Sequence, residues 1–285
     1  PVARFSHVVN CQKRTEVQFT DESIEPLTWA WDFGDGNTST QQSPLHTYAA
    51  FGVYTVTLTV TNGDCMHTTT RTVYAVDPDP NIAADRTTAC KTALINFTAS
   101  NITPAHITNY FWQFGDGAQQ NTSSPTIAHT YTASGTYSVL LVTTDVNGCR
   151  DTVSKTNYIR VNGPTALFTA NNVAGCAGLT TTFNDASTTD GVNAISNWQW
   201  DFGDGTVQTF TAPPFTHTYT TAGRFNVKLI VTDVSGCRDS LTLQSLVNAT
   251  DPVPAFTASD IQTCPGANVT FTNSSTGSNF TSNWT

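Results

Sequence analysis

The sequence predicts an all-β protein made of tandem immunoglobulin-like (Ig-like) β-sandwich domains, and three observations lead to this prediction. A six-residue pattern occurs three times, as WDFGDG at 31–36, WQFGDG at 112–117 and WDFGDG at 200–205. Apolar residues alternate with polar ones after each copy, which is the period of a half-buried strand. No segment of ten or more residues has the apolar spacing and caps of a helix. The recurrence of one pattern along the chain indicates a repeat architecture.

Proline-rich joints separate the repeats, at DPDP 77–80, NGPT 162–165 and DPVP 251–254. We therefore expect repeats at 1–79, 80–163 and 164–251, followed by the truncated start of a fourth repeat at 252–285. The fourth copy is expected to stop one residue before its own WxFGDG pattern. Because proline stiffens short joints, the array is expected to form an extended rod on the order of 100 Å or more.

Each repeat is predicted to consist of short strands. Tyr54, Val56, Leu58 and Val60 alternate with other residues after the first HTY segment, and the segments that follow Gly135 and Gly223 repeat this alternation. Short alternating strands separated by Gly, Asn, Asp and Pro turns, in units of about 80 to 90 residues, predict a seven-strand Ig-like sandwich.

The aromatic residues of the repeated pattern are predicted to lie in the core. Alternation along a strand places Trp31, Trp112 and Trp200 on an inward face together with the neighbouring aromatic residues. The Gly-Asp-Gly that follows is predicted to form a two-residue hairpin with Asp-Gly in a type I′ turn. The alternative is structural calcium at the turn carboxylates, although each repeat supplies only one of them, Asp35, Asp116 or Asp204.

The composition excludes several classes of partner. The net charge is −9 with only 12 Lys plus Arg, so the basic surface that nucleic acids and anionic membranes require is missing. No stretch approaches 18 consecutive apolar residues, so no membrane insertion is expected. The first ten residues, PVARFSHVVN, do not form a signal-peptide pattern.

The sequence predicts no catalytic residue and no cofactor. No GxSxG pattern is present, and glutamate occurs only at Glu16, Glu22 and Glu25. His46, His129 and His217 occur once per repeat, which would place them tens of ångströms apart along the array. Each is expected to make a local hydrogen bond in a turn or at a strand edge.

The order WxFGDG, HTY, GxYxVxLxV and then a turn resembles the PKD (polycystic kidney disease) domain, an Ig-like sandwich. The resemblance covers three repeats and the start of a fourth. It implies a hydrogen bond from a tyrosine hydroxyl, like that of the tyrosine corner in Ig domains. Tyr48, Tyr131 and Tyr219 can make this bond in every repeat. The tyrosine that follows the glycine of GxYxV is replaced by Phe225 in the third repeat.

The cysteine-containing CxGxxxxF opening at 176–183 and the GCRD closings at Cys149 and Cys237 resemble the version found in long bacterial surface proteins. Those proteins leave the cell by type IX secretion and include gliding-motility adhesins. The resemblance implies an extracellular, cell-surface or secreted stalk and interaction segment of an adhesin or surface filament. Its partners would be neighbouring repeats and surface glycans or other surface proteins. The alternative is a set of accessory modules of a secreted protease or polysaccharide-degrading enzyme whose catalytic domain lies elsewhere.

Seven cysteines in an exported protein predict disulfides. In an Ig-like sandwich the opening and closing cysteines of one repeat lie at opposite ends, too far apart for a bond. In a head-to-tail array the exit end of one repeat abuts the entry end of the next, which favours Cys11 with Cys149 and Cys90 with Cys237. Cys65, Cys176 and Cys264 would then have partners outside this sequence. The alternative is pairing within each repeat: Cys11 with Cys65, Cys90 with Cys149 and Cys176 with Cys237.

Three further residues are candidates for contact or modification. Thr152 and Ser240 follow an aspartate at the same repeat position, as DTV and DSL, which is similar to the O-glycosylation signal of bacteria with this export route. Pairing within a strand is the alternative role for both. Phe111 is predicted to face outward, either as a contact residue or as a packing residue between domains.

Overall fold

A computed structural model of the chain describes residues 1–259, 265–266, 268–276 and 283. Within them the chain forms strands and one short 3₁₀ helix, Pro104–His106, so the all-β prediction is confirmed. The strands of the first repeat are β1 Phe5–Val9, β2 Glu16–Asp21, β3 Thr28–Asp32, β4 Thr38–Ser39, β5 Leu45–Thr47, β6 Gly52–Thr61 and β7 Met66–Ala75. The strands of the second repeat are β8 Asn81–Ala84, β9 Thr88–Cys90, β10 Leu94–Ser100, β11 Ile107–Gln113, β12 Gln119–Thr122, β13 Thr126–Thr130, β14 Gly135–Asp145 and β15 Arg150–Asn162. The remaining strands are β16 Phe168–Asn171, β17 Ala174–Cys176, β18 Leu179–Asp185, β19 Ile195–Asp201, β20 Val207–Phe210, β21 Phe215–Tyr219, β22 Gly223–Asp233, β23 Arg238–Thr250, β24 Phe256–Ala258 and β25 Phe271–Asn273.

The chain divides into two compact units. The first unit consists of Pro1–Thr87, Leu94–Tyr131 and Thr136–Arg160. The second unit consists of Thr88–Ala93, Thr132–Gly135 and Val161–Thr285. No helix among the described residues has the length and apolar character that crossing a lipid bilayer requires.

The first repeat, in the first unit, is a seven-strand sandwich. One sheet has the order β1-β2-β5 and the other has the order β4-β3-β6-β7. Strands β6 and β7 pair without interruption from Gly52↔Ala75 to Thr61↔Met66. Along β6 the side chains of Val56, Leu58 and Val60 are buried, as the alternation predicted.

Aromatic rings fill the core of the first repeat. The Trp31 side chain is 1% exposed, and its ring centroid lies 5.0 Å from that of Phe5 and 5.4 Å from that of Phe19. Each large ring buried in this way removes on the order of 150 to 250 Å² from water. Trp112 and Trp200 are fully buried at the same position of the later repeats.

The second repeat in the first unit has the same two layers. One sheet has the order β13-β10-β8, and the other runs through β12-β11-β14-β15. The pairing of β11 with β14 shifts register between Ile107 and Asn109, and the equivalent shift recurs between Ile195 and Asn197 in the third repeat. The second and third repeats therefore share this irregularity, whereas β3 and β6 of the first repeat pair without a shift.

The third repeat lies in the second unit. Its sheets have the orders β16-β18-β21 and β17-β23-β22-β19-β20, and β17 runs parallel to β23. A further antiparallel pair, β24 with β25, follows the third repeat.

The Gly-Asp-Gly loops are not the type I′ turns that the sequence predicted. Positive φ angles occur at the two glycines, Gly34 at 79° and Gly36 at 90°, and not at Asp35. The Phe33 N–H donates to the Asn37 carbonyl at 3.1 Å, which encloses three loop residues instead of two. The prediction was wrong because Asp-Gly alone does not define where the strand pairing ends.

The first glycine of each loop is required by a close approach to the neighbouring strand. A Cβ atom added to Gly115 would lie 2.5 Å from the Ser138 carbonyl oxygen, whereas one added to Gly117 would meet nothing within 4 Å. Both residues have positive φ angles, which favour glycine. The first glycine therefore serves both packing and conformation, and the second serves conformation alone.

Candidate functional site

Two disulfides join cysteines of successive repeats. Cys11 is bonded to Cys149 with a Cα separation of 5.3 Å, and both residues belong to the first unit. Cys90 is bonded to Cys237 with a Cα separation of 5.4 Å, and both belong to the second unit. These are the pairs that the head-to-tail order of the repeats favoured, and none of the pairings within a repeat is present among them. In each case the opening cysteine of one repeat meets the closing cysteine of the next.

A buried aspartate holds each bonded closing cysteine in place. One carboxylate oxygen of Asp145 accepts the N–H groups of Asn147 and Cys149, both at 2.9 Å. Asp233 accepts the Cys237 N–H in the same way at 2.9 Å. Hydrogen bonds from backbone N–H groups to a carboxylate are strong and fix the turn that carries the sulfur. These aspartates were not singled out by the sequence argument, although DVNGC and DVSGC show them at one spacing.

An arginine reinforces the first joint. The Arg14 guanidinium is buried and lies 3.0 Å from an oxygen of Asp77 and 2.7 Å from an oxygen of Asp151. It also donates to the Arg150 carbonyl at 3.3 Å. Arg14 belongs to the first repeat and Asp151 to the second, so this ion pair connects the same two repeats as the Cys11 disulfide.

A lysine forms the corresponding ion pair in the second unit. The Lys91 ammonium lies 3.0 Å from Asp239, whose Oδ2 atom also accepts the Ala166 N–H at 3.0 Å. Burial opposes ionisation of the Asp239 carboxyl, but the Ala166 N–H and Lys91 outweigh it and lower the pKa of that carboxyl. Each disulfide is therefore accompanied by a basic residue near the opening cysteine and an aspartate two residues after the closing cysteine.

The candidate modification sites lie beside these ion pairs. Thr152 and Ser240 are exposed on β15 and β23. The aspartate that precedes each of them, Asp151 or Asp239, is bound by Arg14 or by Lys91. The hydroxyls are accessible, and the aspartates of the DTV and DSL segments have a role in the joints.

Among the described residues, two cysteines have free thiols. Cys65 and Cys176 are exposed, and neither forms a disulfide in the described part of the chain. Cys264, the third cysteine expected to lack a partner within this sequence, lies outside the described residues.

A second recurrent arrangement links the Gly-Asp-Gly loop to the HTY segment. In each repeat the loop aspartate lies within hydrogen-bond distance of the histidine Nε2 atom. The pairs are Asp35 with His46 at 2.8 Å, Asp116 with His129 at 2.7 Å and Asp204 with His217 at 2.7 Å. The histidine ring also stacks on the phenylalanine of WxFGDG, with Phe114 and His129 centroids 4.0 Å apart and 8° from parallel.

The tyrosine of the HTY segment completes this cluster. The Tyr131 hydroxyl donates to the Phe114 carbonyl at 3.0 Å, and Tyr48 and Tyr219 make the same bond to Phe33 and Phe202. Burial and then the nearby Asp116 charge raise the pKa of the Tyr131 phenol, so it stays protonated and can donate. The bond expected by analogy with the tyrosine corner is thus made in all three repeats.

The contact between aspartate and histidine holds the Gly-Asp-Gly loop against the HTY segment in each repeat. Over the described residues, His, Cys, Asp and Glu side chains never come together in a group of three that could hold a metal ion. The sequence predicts a turn role for each aspartate and a separate local hydrogen bond for each histidine, but it does not predict the contact between the two residues. The available signal was the joint recurrence of GDG and HTY in every repeat.

Other aromatic residues are less buried than the sequence suggested. Trp29 and Trp198 pack against the cores but are half-buried. Their indole N–H groups donate to Asp21 and Asp185, each at 2.7 Å. Phe111, expected to face outward, is also half-buried, and Trp284 lies outside the described residues.

A family model described as "PKD domain" matches residues 1–76, 75–161 and 162–247. Among curated proteins, a microbial collagenase of Vibrio alginolyticus is 38% identical over 86 residues, which are 30% of this chain and 10% of that protein. The pre-pro-metalloprotease PrtV of Vibrio cholerae is 29% identical over 153 residues, 53% of this chain and 16% of that protein. The chain therefore spans a small part of the length of these relatives.

Two solved PKD domains are also similar in sequence. The PKD1 domain of the Vibrio cholerae metalloprotease PrtV is 32% identical, with a TM-score of 0.26, and the match covers 30% of this chain and 99% of that domain. The PKD1 domain of Vibrio anguillarum Epp is 36% identical, with a TM-score of 0.22, and the match covers 25% of this chain and 88% of that domain.

Proposed function

Because the chain belongs to the PKD domain family, we propose that it is a non-catalytic spacer and interaction segment of a protein that acts outside the cell. Its repeats would lie at 1–79, 80–163 and 164–251, with a fourth beginning at 252. The observation that carries this proposal is the pair of disulfides that connect successive repeats. Disulfides persist in oxidising surroundings, which suits an extracellular location.

The two disulfides overlap along the chain, and this gives the segment an unusual response to tension. Between the two crosslinks the segments 11–90, 90–149 and 149–237 span 79, 59 and 88 residues and run in parallel. If every repeat unfolded, the shortest segment would still limit the separation of the crosslinks to about 200 Å. After reduction the same stretch could extend to about 770 Å. A spacer under load benefits from such a limit.

Single-molecule force extension of the chain, held at its two termini, tests this role. We expect the fully extended length to increase by roughly 570 Å when a reductant is added. Cys11→Ser combined with Cys90→Ser should have the long extension with or without reductant. An oxidised chain that already reaches the reduced length would contradict the proposed load-limiting spacer.

We propose further that the parent protein is a repeat-rich bacterial surface adhesin or surface filament exported by type IX secretion. Neighbouring repeats of the same chain would be its first partners, and surface glycans or other surface proteins would be the external ones. The crosslinks between repeats favour this assignment, because a stalk that transmits force between a cell and a surface must resist extension.

A second candidate function rests on the relatives. Several of them are named as collagenases or metalloproteases, which favours PKD modules that accompany the catalytic domain of a secreted protease. Intact-mass and peptide analysis of the parent protein from its producing cells separates the two candidates. A catalytic domain in the same polypeptide would support the second candidate, whereas further repeats with a secretion signal would support the first.

We expect these 285 residues not to catalyse hydrolysis. The purified chain should leave collagen and casein intact over a long incubation. Saturable hydrolysis that one substitution within the chain abolishes would contradict the proposal.

A further inference from the structure

One sheet of the second repeat has a face that is directed away from the core. Along β11, Phe111 and Gln113 alternate with the buried Trp112, so they lie on the opposite side of the sheet from it. Strands β12 and β14 place further residues beside these two on the same side. We call this surface the outer face of the second repeat, and it consists of Phe111, Gln113, Gln119, Asn121, Leu140 and Val142.

An open cleft of about 440 Å³ lies at the end of the outer face that adjoins the Gly-Asp-Gly loop. This volume is within the range of ligand-binding clefts, about 300 to 1,000 Å³. A Cβ atom added to Gly117, at the edge of the cleft, would meet nothing within 4 Å. The polar side chains that line the cleft are exposed, and they are Gln113, Gln119, Ser138, Ser154 and Thr156. The cleft therefore presents amide and hydroxyl groups to a ligand.

The outer face and its cleft are uncharged, although the chain as a whole has a net charge of −9. Among the described residues, none that lines the cleft carries a charge. The carboxylate of the adjacent loop, that of Asp116, is bound by His129 and by the Ala118 N–H. An anionic ligand requires basic groups and a metal cation requires several oxygen ligands, most of them carboxylates. The surface therefore fits an electrically neutral ligand.

The glutamine of WQFGDG departs from the residue that the other two repeats have at this place. Asp32 and Asp201 occupy the same position, and each accepts the N–H of the first loop glycine, at 2.9 and 3.0 Å. In the second repeat Gln113 replaces this capping carboxylate with a neutral amide. Departures from a local structural rule are expected where a residue serves function. An amide both donates and accepts hydrogen bonds, as a ligand rich in hydroxyl groups requires.

An aromatic ring is the second departure. Phe111 occupies the place of Ala30 in the first repeat and Gln199 in the third. It is half-buried, so part of its ring is accessible. The face of an aromatic ring carries partial negative charge, which attracts the C–H groups on one side of a sugar ring. Phe111 thus adds an apolar contact to the hydrogen-bonding groups of the cleft.

We propose that the outer face of the second repeat binds a neutral polysaccharide, with Phe111 packed on a sugar ring and with Gln113 and Gln119 bonded to its hydroxyl groups. The proposal rests on the interaction role proposed above and names the class of ligand. Four strands about 4.8 Å apart give the face a width of roughly 15 Å. Such a width suits an extended chain of sugars, whose next units reach Ser154 and Thr156 across the cleft.

Affinity electrophoresis of the whole chain tests the proposal. Native gels contain laminarin, galactomannan or xyloglucan as neutral polysaccharides, and alginate as an anionic one. We expect at least one neutral polysaccharide to retard the chain and alginate to leave its mobility unchanged. Unchanged mobility in all three neutral gels would overturn the proposal, and so would retardation by alginate alone.

Two substitutions place the ligand on the outer face. Phe111→Ala should weaken binding by about tenfold or more in isothermal titration calorimetry, since an aromatic anchor is removed. Gln113→Asp introduces the residue that the first and third repeats carry, so it keeps the fold and should also weaken binding, because its carboxylate turns to cap Gly115. Gln199→Ala, at the place of Phe111 in the third repeat, is the matched control and should bind as the native chain does.

Urea unfolding shows which variants are folded, and Gln113→Asp decides alone if Phe111→Ala is not. Native affinity in the folded variants, or an equal loss in Gln199→Ala, would place the ligand elsewhere and overturn the proposal. Sedimentation without polysaccharide tests a different occupant. A dimer that Phe111→Ala dissociates would show that a second copy covers this face, and would overturn the proposal as well.

The variants leave all four bonded cysteines in place. The force-extension result is therefore independent of polysaccharide binding. Loss of this inference with the load limit intact, or loss of the load limit with binding intact, distinguishes its failure from failure of the spacer function.

Discussion

The Nε2 atom of His129 lies 2.7 Å from the Oδ2 atom of Asp116, and this contact joins two segments of the second repeat that are 13 residues apart. The other oxygen of Asp116 accepts the Ala118 N–H at 3.0 Å. One carboxylate thus closes its own loop and fastens that loop to strand β13. The first and third repeats have the same arrangement.

The Asp116 carboxylate should stabilise the fold in a pH-dependent way. Burial opposes its ionisation, but hydrogen bonds from His129 and the Ala118 N–H outweigh burial and lower its pKa. A lowered folded-state pKa gives stability that is present above the unfolded pKa, near 3.9, and is lost as the pH falls through the folded value. Asp116→Asn should lower the unfolding free energy at pH 7 by about 1.5 to 3 kcal/mol.

Urea unfolding at pH 7 and at pH 2.5 checks this expectation. The difference between the native chain and Asp116→Asn should shrink at the lower pH. Asp64→Asn removes the same charge from an exposed turn and serves as the control. Equal stability of the native chain and Asp116→Asn at pH 7 would show that the pair with His129 contributes nothing.

The two glycines of one loop should respond differently to substitution. Gly117→Ala places a Cβ in open space at a φ of 94° and should cost about 1 to 2 kcal/mol. Gly115→Ala must additionally displace the Ser138 carbonyl, since the new Cβ would lie 2.5 Å from its oxygen. Its cost should therefore be clearly the larger in thermal or urea unfolding. Equal costs would mean that the neighbouring strand moves away freely.

The Arg14 ion pair should contribute to the first joint together with Asp151. Arg14→Ala should lower the unfolding free energy by about 1.5 to 3 kcal/mol, because a buried charged donor is lost. With Asp151→Asn already present, the further cost of Arg14→Ala should be smaller, since contacting residues are coupled. A double-mutant cycle measures the coupling, and additive costs would contradict a direct interaction.

The repeated tryptophan should be the most costly residue to truncate. Trp112 is fully buried and packs on Phe97 and Phe114, so Trp112→Ala should cost about 3 to 5 kcal/mol. Trp112→Phe keeps a ring and removes an indole N–H that has no hydrogen-bond partner among the described residues, so it should cost less. The half-buried Phe111 is the control, and Phe111→Ala should be milder than Trp112→Ala in urea unfolding.

The sequence predicted the features that depend on local pattern. Alternation located the buried residues of β6, and the recurrence of Trp31, Trp112 and Trp200 located the three cores. The two disulfides follow from the end of the sandwich that each cysteine occupies and from the head-to-tail order of the repeats. These inferences succeed because a strand's period and a domain's topology are visible along the chain.

Features that depend on contacts between distant loops could not be predicted from local sequence pattern. The Asp116–His129 bond depends on where β12 and β13 place the two segments, and the spacing changes from 11 residues in the first repeat to 13 in the others. The type I′ prediction failed because the pairing ends one residue earlier than Asp-Gly suggests. The sequence did not indicate the ion pair of Arg14, since its partner Asp151 lies in another repeat.

Disulfide mapping shows whether covalent bonds join successive repeats. The native chain is alkylated, digested without reduction and analysed by mass spectrometry. We expect crosslinked peptides containing Cys11 with Cys149 and Cys90 with Cys237, and alkylated Cys65 and Cys176. A crosslinked peptide containing Cys90 and Cys149, or Cys11 and Cys65, would show pairing within repeats and would rule out covalent joints between them.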